Sequence, residues 1–285
     1  MNKATLGDDH PNTLASLYNN QGKYDKAESL YVSCLEMMKT TLGDNHPDTL
    51  TSMNNLAALY DNQGKYDKAE SLYVSCFETR KAALGDNHPD TLASMNNLAS
   101  FHKNQGKYDK AEPLYVSCLE KNKIALGDNH PSTLTVMNSL AGLYFKRGNY
   151  DNAEPLYVSC LEMMKTELGD NHPATFPSKY NLSILFSNQG KYDQAEPLLV
   201  SCLEMMKAAL GDNHPRTLSS MFNLAELYKK QGKYDKAESL YVPCLEMMKT
   251  ELGDTHSDTL RSMNNLRIFY EEQGKKDLAE ALKME

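Results

Sequence analysis

Apolar residues along this chain recur at spacings of three and four, in paired blocks. Within residues 47–84 the first block carries Leu50, Met53, Leu56, Ala57 and Tyr60, and the second carries Ala69, Leu72, Tyr73, Cys76 and Phe77. That spacing places each set on one face of an α-helix. Pro47 suits the first helical position, where its missing N–H costs nothing, and Asp48 sits beside the positive helix end. Gln63-Gly64 closes the first helix, glycine supplying the left-handed conformation beyond its carboxyl end. Tyr66 and Asp67 open the second helix and Leu84-Gly85 closes it. The unit is a helical hairpin, with helices of about 15 and 17 residues.

The hairpin recurs. The segment Leu-Gly-Asp-Asn-His-Pro, with small changes, begins at Leu6, Leu42, Leu84, Leu126, Leu168, Leu210 and Leu252, so five of the six intervals are 42 residues and the first is 36. A period of this size marks a repeat array, in which each unit buries its apolar face against its neighbours. The expected fold is all-α, a solenoid of about seven hairpins in one array over residues 1–285. Its repeats run approximately 10–41, 46–83, 88–125, 130–167, 172–209, 214–251 and 256–285. The ends are irregular. Met1 to Thr5 align with the tails of second helices, and the short first interval lacks six residues of a first helix. Leu14, Ala15, Leu17 and Tyr18 nevertheless keep the register of Leu56, Ala57, Leu59 and Tyr60. Arg267 replaces the small residue, Lys276 replaces a tyrosine, and the last second helix stops at Glu285. These ends lead us to expect a fragment, or the product of duplication, with incomplete terminal repeats.

Met53-x-x-Leu56-Ala57-x-x-Tyr60 followed by Ala69-x-x-x-Tyr73 resembles the tetratricopeptide (TPR) pattern, with Met for Trp and Ala for Gly. The 42-residue unit, with Asn-Asn-Leu-Ala, Gln-Gly-Lys-Tyr-Asp-Lys-Ala-Glu and Leu-Gly-Asp-Asn-His-Pro-Asp-Thr-Leu, resembles the TPR array of kinesin light chains over nearly the whole chain. The resemblance implies a right-handed TPR superhelix whose first helices line a concave groove. It implies a non-catalytic scaffold or adaptor of the cargo-adaptor type, holding extended peptides. Nothing in the 285 residues resembles the heptad region through which kinesin light chains bind the motor heavy chain. The alternative is a sensor or recognition array belonging to a larger nucleotide-binding or signalling protein.

Second helices are nearly copied from unit to unit, whereas first helices vary on a stripe at the sites of Thr51, Asn54, Ala58 and Asp61. The Asn54 site continues as Asn96, Asn138, Tyr180, Phe222 and Asn264. The Ala58 site continues as Ser100, Gly142, Ile184, Glu226 and Ile268, and the Asp61 site as Lys103, Phe145, Ser187, Lys229 and Glu271. Beside the first row runs a second, Asn55, Asn97, Asn181, Asn223 and Asn265, with Ser139 as the exception. Side-chain amides donate and accept together, which suits pairing with a peptide backbone. Lys103, Lys146, Arg147, Lys229 and Lys230, interleaved with Phe145, Tyr180 and Phe222, suit a peptide that offers acidic residues around an apolar anchor. The bland reading of the same positions is a solvated face whose asparagines persist through duplication.

Composition narrows the function further. A net charge of −8 argues against a general nucleic-acid or anionic-membrane binder. No apolar run approaches the ~20 residues of a membrane span, and Met1-Asn2-Lys3-Ala4-Thr5-Leu6 lacks the apolar core of a secretory signal. The expected location is the cytoplasm. Cys34, Cys76, Cys118, Cys160, Cys202 and Cys244 recur with the unit. Equivalent sites in stacked helices lie about 10 Å apart, too far for disulfides, so these read as small buried residues. Seven of the eight histidines fall in the loops with the same spacing, which suits helix entry and no shared metal. His102 reads as a packed residue in a tyrosine position. No phosphate-cradling loop or isolated nucleophile stands outside the pattern, so no cofactor, metal or catalytic residue is expected.

Overall fold

The computed structural model describes residues 11–20 and 22–282. The expectations for Met1–His10 and for the last three residues lie outside them. The structure is helical throughout, with no strand among the described residues. The chain forms two compact units, residues 1–147 and 148–285.

The first unit contains α1 (Pro11–Asn20), α2 (Tyr24–Leu42), α3 (Pro47–Asn62), α4 (Tyr66–Leu84), α5 (Pro89–Asn104), α6 (Tyr108–Leu126) and α7 (Pro131–Lys146). Pairs α1/α2, α3/α4 and α5/α6 are hairpins, and each of α3, α5 and α7 also packs against the second helix of the preceding hairpin. The second unit contains α8 (Tyr150–Leu168), α9 (Phe176–Asn188), α10 (Tyr192–Leu210), α11 (Pro215–Lys230), α12 (Tyr234–Leu252), α13 (Ser257–Glu272) and the short α14 (Lys276–Glu280). Here α9/α10, α11/α12 and α13/α14 pair in the same way. Full helices have 16 and 19 residues, slightly longer than the spacing predicts.

Small residues set the packing. Ala57 and Ala69 are 0 % exposed, as are Ala99, Ala111, Ala225 and Ala237 at the same sites. Each cysteine is buried and free. The Cys76 thiol donates to the Leu50 carbonyl of its own hairpin (3.4 Å), and Cys118 and Cys244 repeat the contact on Leu92 and Leu218 (3.3 Å each). Burial pushes the thiols of Cys118, Cys202 and Cys244 up to about 12, which keeps them neutral and unreactive.

Helix entry depends on the loop histidines more directly than the sequence suggests. His46 Nδ1 accepts the Asp48 N–H at 3.2 Å, and His88, His130, His172, His214 and His256 cap their helices alike. The imidazole does the work that Ser or Asp does elsewhere at this position. Gly85, which ends α4, has φ +91° and ψ 167°, a region open essentially to glycine alone.

The turn motif Gln-Gly-Lys and the glutamate of Lys-Ala-Glu belong together across units. Glu28 Oε2 accepts from Lys65 Nζ (2.6 Å) and Gln63 Nε2 (2.9 Å) of the next hairpin. Glu70 receives Lys107 (2.9 Å) and Lys110 (3.3 Å), and Glu112 receives Arg147 and Tyr144. In the second unit Glu154 holds Lys191 (2.7 Å) and Gln189 (2.9 Å), and Glu196 holds Lys233 (2.7 Å) and Gln231 (3.1 Å).

The repeat beginning near Pro173 departs from the others. Pro177 has no N–H to continue a helix from Pro173, so residues Pro173–Thr175 form a 3-10 turn and α9 starts at Phe176. Lys179 stands where other units carry Met53, Met95, Met137, Met221 and Met263. It is 1 % exposed, donates to Ser201 Oγ at 2.8 Å and pairs with Asp170 Oδ2 at 3.1 Å.

Two outcomes follow. The lysine bonds hold the carboxyls of Glu28, Glu70, Glu154 and Glu196 below the ordinary value of 4.5. A group lowered in this way contributes stability that is complete above its unfolded value and is lost as the pH falls through the folded one. Helicity measured against urea should therefore show stability falling below pH 4.5, and changing all four glutamates to Gln should flatten that limb. An unchanged acid slope would refute the ladder's role. Second, Lys179→Met should leave stability unchanged or raise it by about 1 kcal/mol, because well-packed apolar groups commonly match or exceed buried ion pairs. A fall in the urea midpoint would show that the lysine holds its unit together.

Candidate functional site

The two asparagine rows meet each other. They lie on first helices, one residue apart, so the second row of one hairpin reaches the first row of the hairpin before it. Asn97 Nδ2 on α5 donates to Asn54 Oδ1 on α3 at 3.0 Å. In the second unit Asn223 Nδ2 on α11 donates to the Tyr180 hydroxyl on α9 at 3.1 Å. These amides bridge hairpins, which explains why the second row tolerates few changes within the chain. The bridge is broken at one place in the first unit. Ser139 is too short to replace the asparagine. Asn96 Oδ1 is left buried with no hydrogen-bond partner.

Asn55, Asn138 and Asn181 are half-buried on α3, α7 and α9. Asn264 is exposed and accepts from Arg267 Nη2 at 2.8 Å. Phe222 packs edge-on to Tyr241, with ring centres 5.4 Å apart, and Tyr180 stacks on Phe176 at 5.9 Å.

The Ala58 site faces inward more than the variable stripe implies. Ser16 bonds the Tyr31 hydroxyl and Ser100 the Tyr115 hydroxyl, both at 2.7 Å. Glu226 accepts from Tyr241. Where the second helix has Leu199 instead of tyrosine, the site holds Ile184. At Ser16, Ser100 and Glu226 the side chain thus answers a tyrosine of its own hairpin, whereas Ala58 and Gly142 face Tyr73 and Tyr157 without a side-chain polar group.

The cations divide by unit. Lys103 on α5 is half-buried, with Nζ 5.8 Å from the centre of the Tyr115 ring. Burial, and then the charge of Lys146 on α7, holds its amine below the ordinary lysine range. No carboxylate lies within ion-pair distance of either lysine among the described residues. Phe145 is half-buried beside Lys146 in sequence. In the second unit Lys229 pairs with Glu272 at 2.8 Å and Lys230 donates to Ser187 Oγ at 3.4 Å. Arg147, grouped with these cations from sequence, instead belongs to the turn ladder through Glu112 and Asp109. On the same side, burial pushes the Asp61 carboxyl up, opposed by the amide of Gln105, which donates at 3.0 Å.

His102 is 5 % exposed against Phe101, and burial lowers its imidazole. Among the described residues, no three His, Cys, Asp or Glu side chains converge as a metal site would require. Among the described residues, no helix is long and apolar enough to cross a membrane. Besides Lys179, the buried side chains that escaped the sequence reading include Arg80 and Asn122. The available signal was their departure from Met38, Met164, Met206 and Met248 at the same site.

A family model described as Tetratricopeptide repeat matches residues 9–82, 62–123, 90–166, 135–208, 178–250 and 223–285. None of the curated proteins matches the chain. Among solved structures, nearly identical TPR-like repeats from a protein assigned as a kinesin light chain in Podosopora anserina align with 26 % identity, covering 72 % of this chain and 98 % of that one, at a TM-score of 0.62. BtubC (BKLC) of P. vanneervenii aligns with 21 % identity over 81 % of this chain and 92 % of its own, at a TM-score of 0.70. A Rap protein complexed with Competence and Sporulation Factor aligns with 12 % identity over 95 % and 71 %, at 0.65. The last two share the fold. The resemblance to kinesin-light-chain-like repeats read from the motifs thus holds at the level of three-dimensional structure.

Ser139→Asn should close the gap between α5 and α7 by offering Asn96 Oδ1 a donor. The expected gain is about 0.5–1.5 kcal/mol, read as a higher urea midpoint. A lower midpoint would show that the bridge is not transferable to this interface.

Proposed function

The chain belongs to the tetratricopeptide repeat family, and on that premise we propose that it is a non-catalytic scaffold or adaptor of the kinesin-light-chain-like, cargo-adaptor type. Its ligand is an extended peptide segment laid along the first helices, carrying acidic residues beside an apolar anchor. The family fold and the kinesin-light-chain-like neighbours support the scaffold role. The observation that carries the ligand chemistry is Lys103, half-buried over the Tyr115 ring and, like Lys146 on the next first helix, without a carboxylate partner among the described residues. An anionic side chain placed there offsets the Lys103–Lys146 repulsion and compensates by attraction for the burial of the Lys103 amine. The half-buried Phe145 supplies apolar surface next to them. Asn54, Asn55, Asn96, Asn97 and Asn138 complete this region, and Tyr180, Asn181, Phe222, Asn223, Lys229, Lys230 and Asn264 are the corresponding positions of the second unit. Six buried thiols and no spanning helix are compatible with work in the cytoplasm.

Selection from a random peptide library should enrich acidic sequences. For a selected peptide, Lys146→Glu should weaken binding roughly tenfold at low salt, less at high salt, as expected for an exposed charge. Lys229→Glu should have a smaller effect, because Glu272 already neutralises that lysine. Enrichment of nothing, or of neutral peptides indifferent to Lys146→Glu, would overturn the proposal.

A further inference from the structure

Arg80 and Asn122 occupy the same place in successive second helices, and the difference between them opens a cavity. Arg80 of α4 spans α3 and α5, donating to Ser94 Oγ (2.8 Å), Thr51 Oγ1 (3.3 Å) and the Asp90 carbonyl (3.3 Å). Asn122 of α6 is too short to span α5 and α7. A cavity of about 220 Å³ remains, lined by Leu92 and Asn96 of α5, Asn122, and Pro131, Thr135 and Val136 of α7, among others.

The polar groups of this cavity have one character. Asn122 is 2 % exposed. Its Nδ2 donates to the Cys118 carbonyl at 2.8 Å and approaches Cys118 Sγ at 3.4 Å, which fixes the orientation of the amide. Both of the side-chain hydrogen bonds that Asn122 makes among the described residues use Nδ2, which leaves its Oδ1 without a protein donor. Asn96 Oδ1, orphaned by Ser139, has none either. The Thr135 hydroxyl is turned away to the Pro131 carbonyl at 2.8 Å. The cavity therefore presents the side-chain oxygens of Asn96 and Asn122 against largely apolar walls, with the Ser132 hydroxyl at its lining and no charged residue among the lining side chains.

We propose that it is a subsite for the primary carboxamide of a glutamine or asparagine side chain on the bound peptide, an inference that rests on the peptide-binding reading above. A carboxamide nitrogen carries two N–H groups and no charge, so it satisfies both oxygens without burying an unpaired ion. A carboxylate would meet two oxygens, an ammonium would enter without a counter-charge, and an apolar side chain would leave both acceptors unpaired. The subsite lies in the same unit as Lys103 and Lys146, so the same peptide carries acidic residues and the amide.

The test is library selection on the full chain and on its Asn122→Met variant, followed by fluorescence anisotropy with synthetic peptides. Methionine occupies this buried place at Met206 and Met248, and the thermal midpoint of the variant is recorded alongside. The expected result is enrichment of Gln or Asn at one fixed position. Replacing that residue by Met or Glu in the peptide should weaken binding to the wild-type chain roughly tenfold, the scale of paired buried hydrogen bonds. On Asn122→Met the difference should vanish. Selected peptides with no amide preference, or a preference that survives Asn122→Met, overturn the subsite and leave peptide binding standing. Failure to select any peptide overturns both. The peptide substitutions on the wild-type chain decide the matter even where the variant melts early.

Discussion

How closely the two helices of a hairpin approach determines everything else in this chain. Ala57 and Ala69, like Ala99, Ala111, Ala225 and Ala237 at the same sites, have no exposed surface, so backbone meets backbone where a larger side chain would wedge the pair apart. At that separation a cysteine thiol reaches the facing carbonyl, and a tyrosine hydroxyl reaches the opposite helix. Protein interiors pack densely enough that such a spacing is inherited by whatever stacks upon it. The Glu-to-turn bonds can then recur at the same places from one hairpin to the next.

Most of the fold is legible in the sequence because its causes are local and repeated. Three-four periodicity, Pro at helix entry and Gly at helix exit each act within a few residues, and a copying error in one unit stands out against its neighbours. The His46 cap was visible only as a helix-entry residue, because an imidazole acting as an acceptor needs a backbone geometry that spacing does not specify. The 3-10 start at Pro173 follows from Pro177, whose missing N–H matters only once the helix register is known. Lys179 in a methionine site shows how a long side chain can keep its charge and still be enclosed, by reaching Asp170 at the edge.

The candidate surface was legible by position and less so by partner. The asparagine rows were found, but Asn97 to Asn54 joins residues in different repeats, and only the stacking reveals it. Lys229 and Lys230 look equivalent to Lys103 and Lys146 in a list of basic residues. Glu272, contributed by the following first helix, separates the two pairs chemically. Likewise Ser100 and Glu226 of the Ala58 row bond Tyr115 and Tyr241 across the hairpin, an internal contact that is invisible when only one helix is read.

The buried cysteines give the chain an internal gauge. Each complete second helix, from Cys34 to Cys244, carries one buried thiol, shielded while the helices around it stay together. A thiol-modifying reagent can reach such a group only when that hairpin opens. Six chemically similar probes, at one place per repeat, therefore report opening free energies along the chain, and a profile that rises from one end would reveal fraying even where a global melting curve showed a single step.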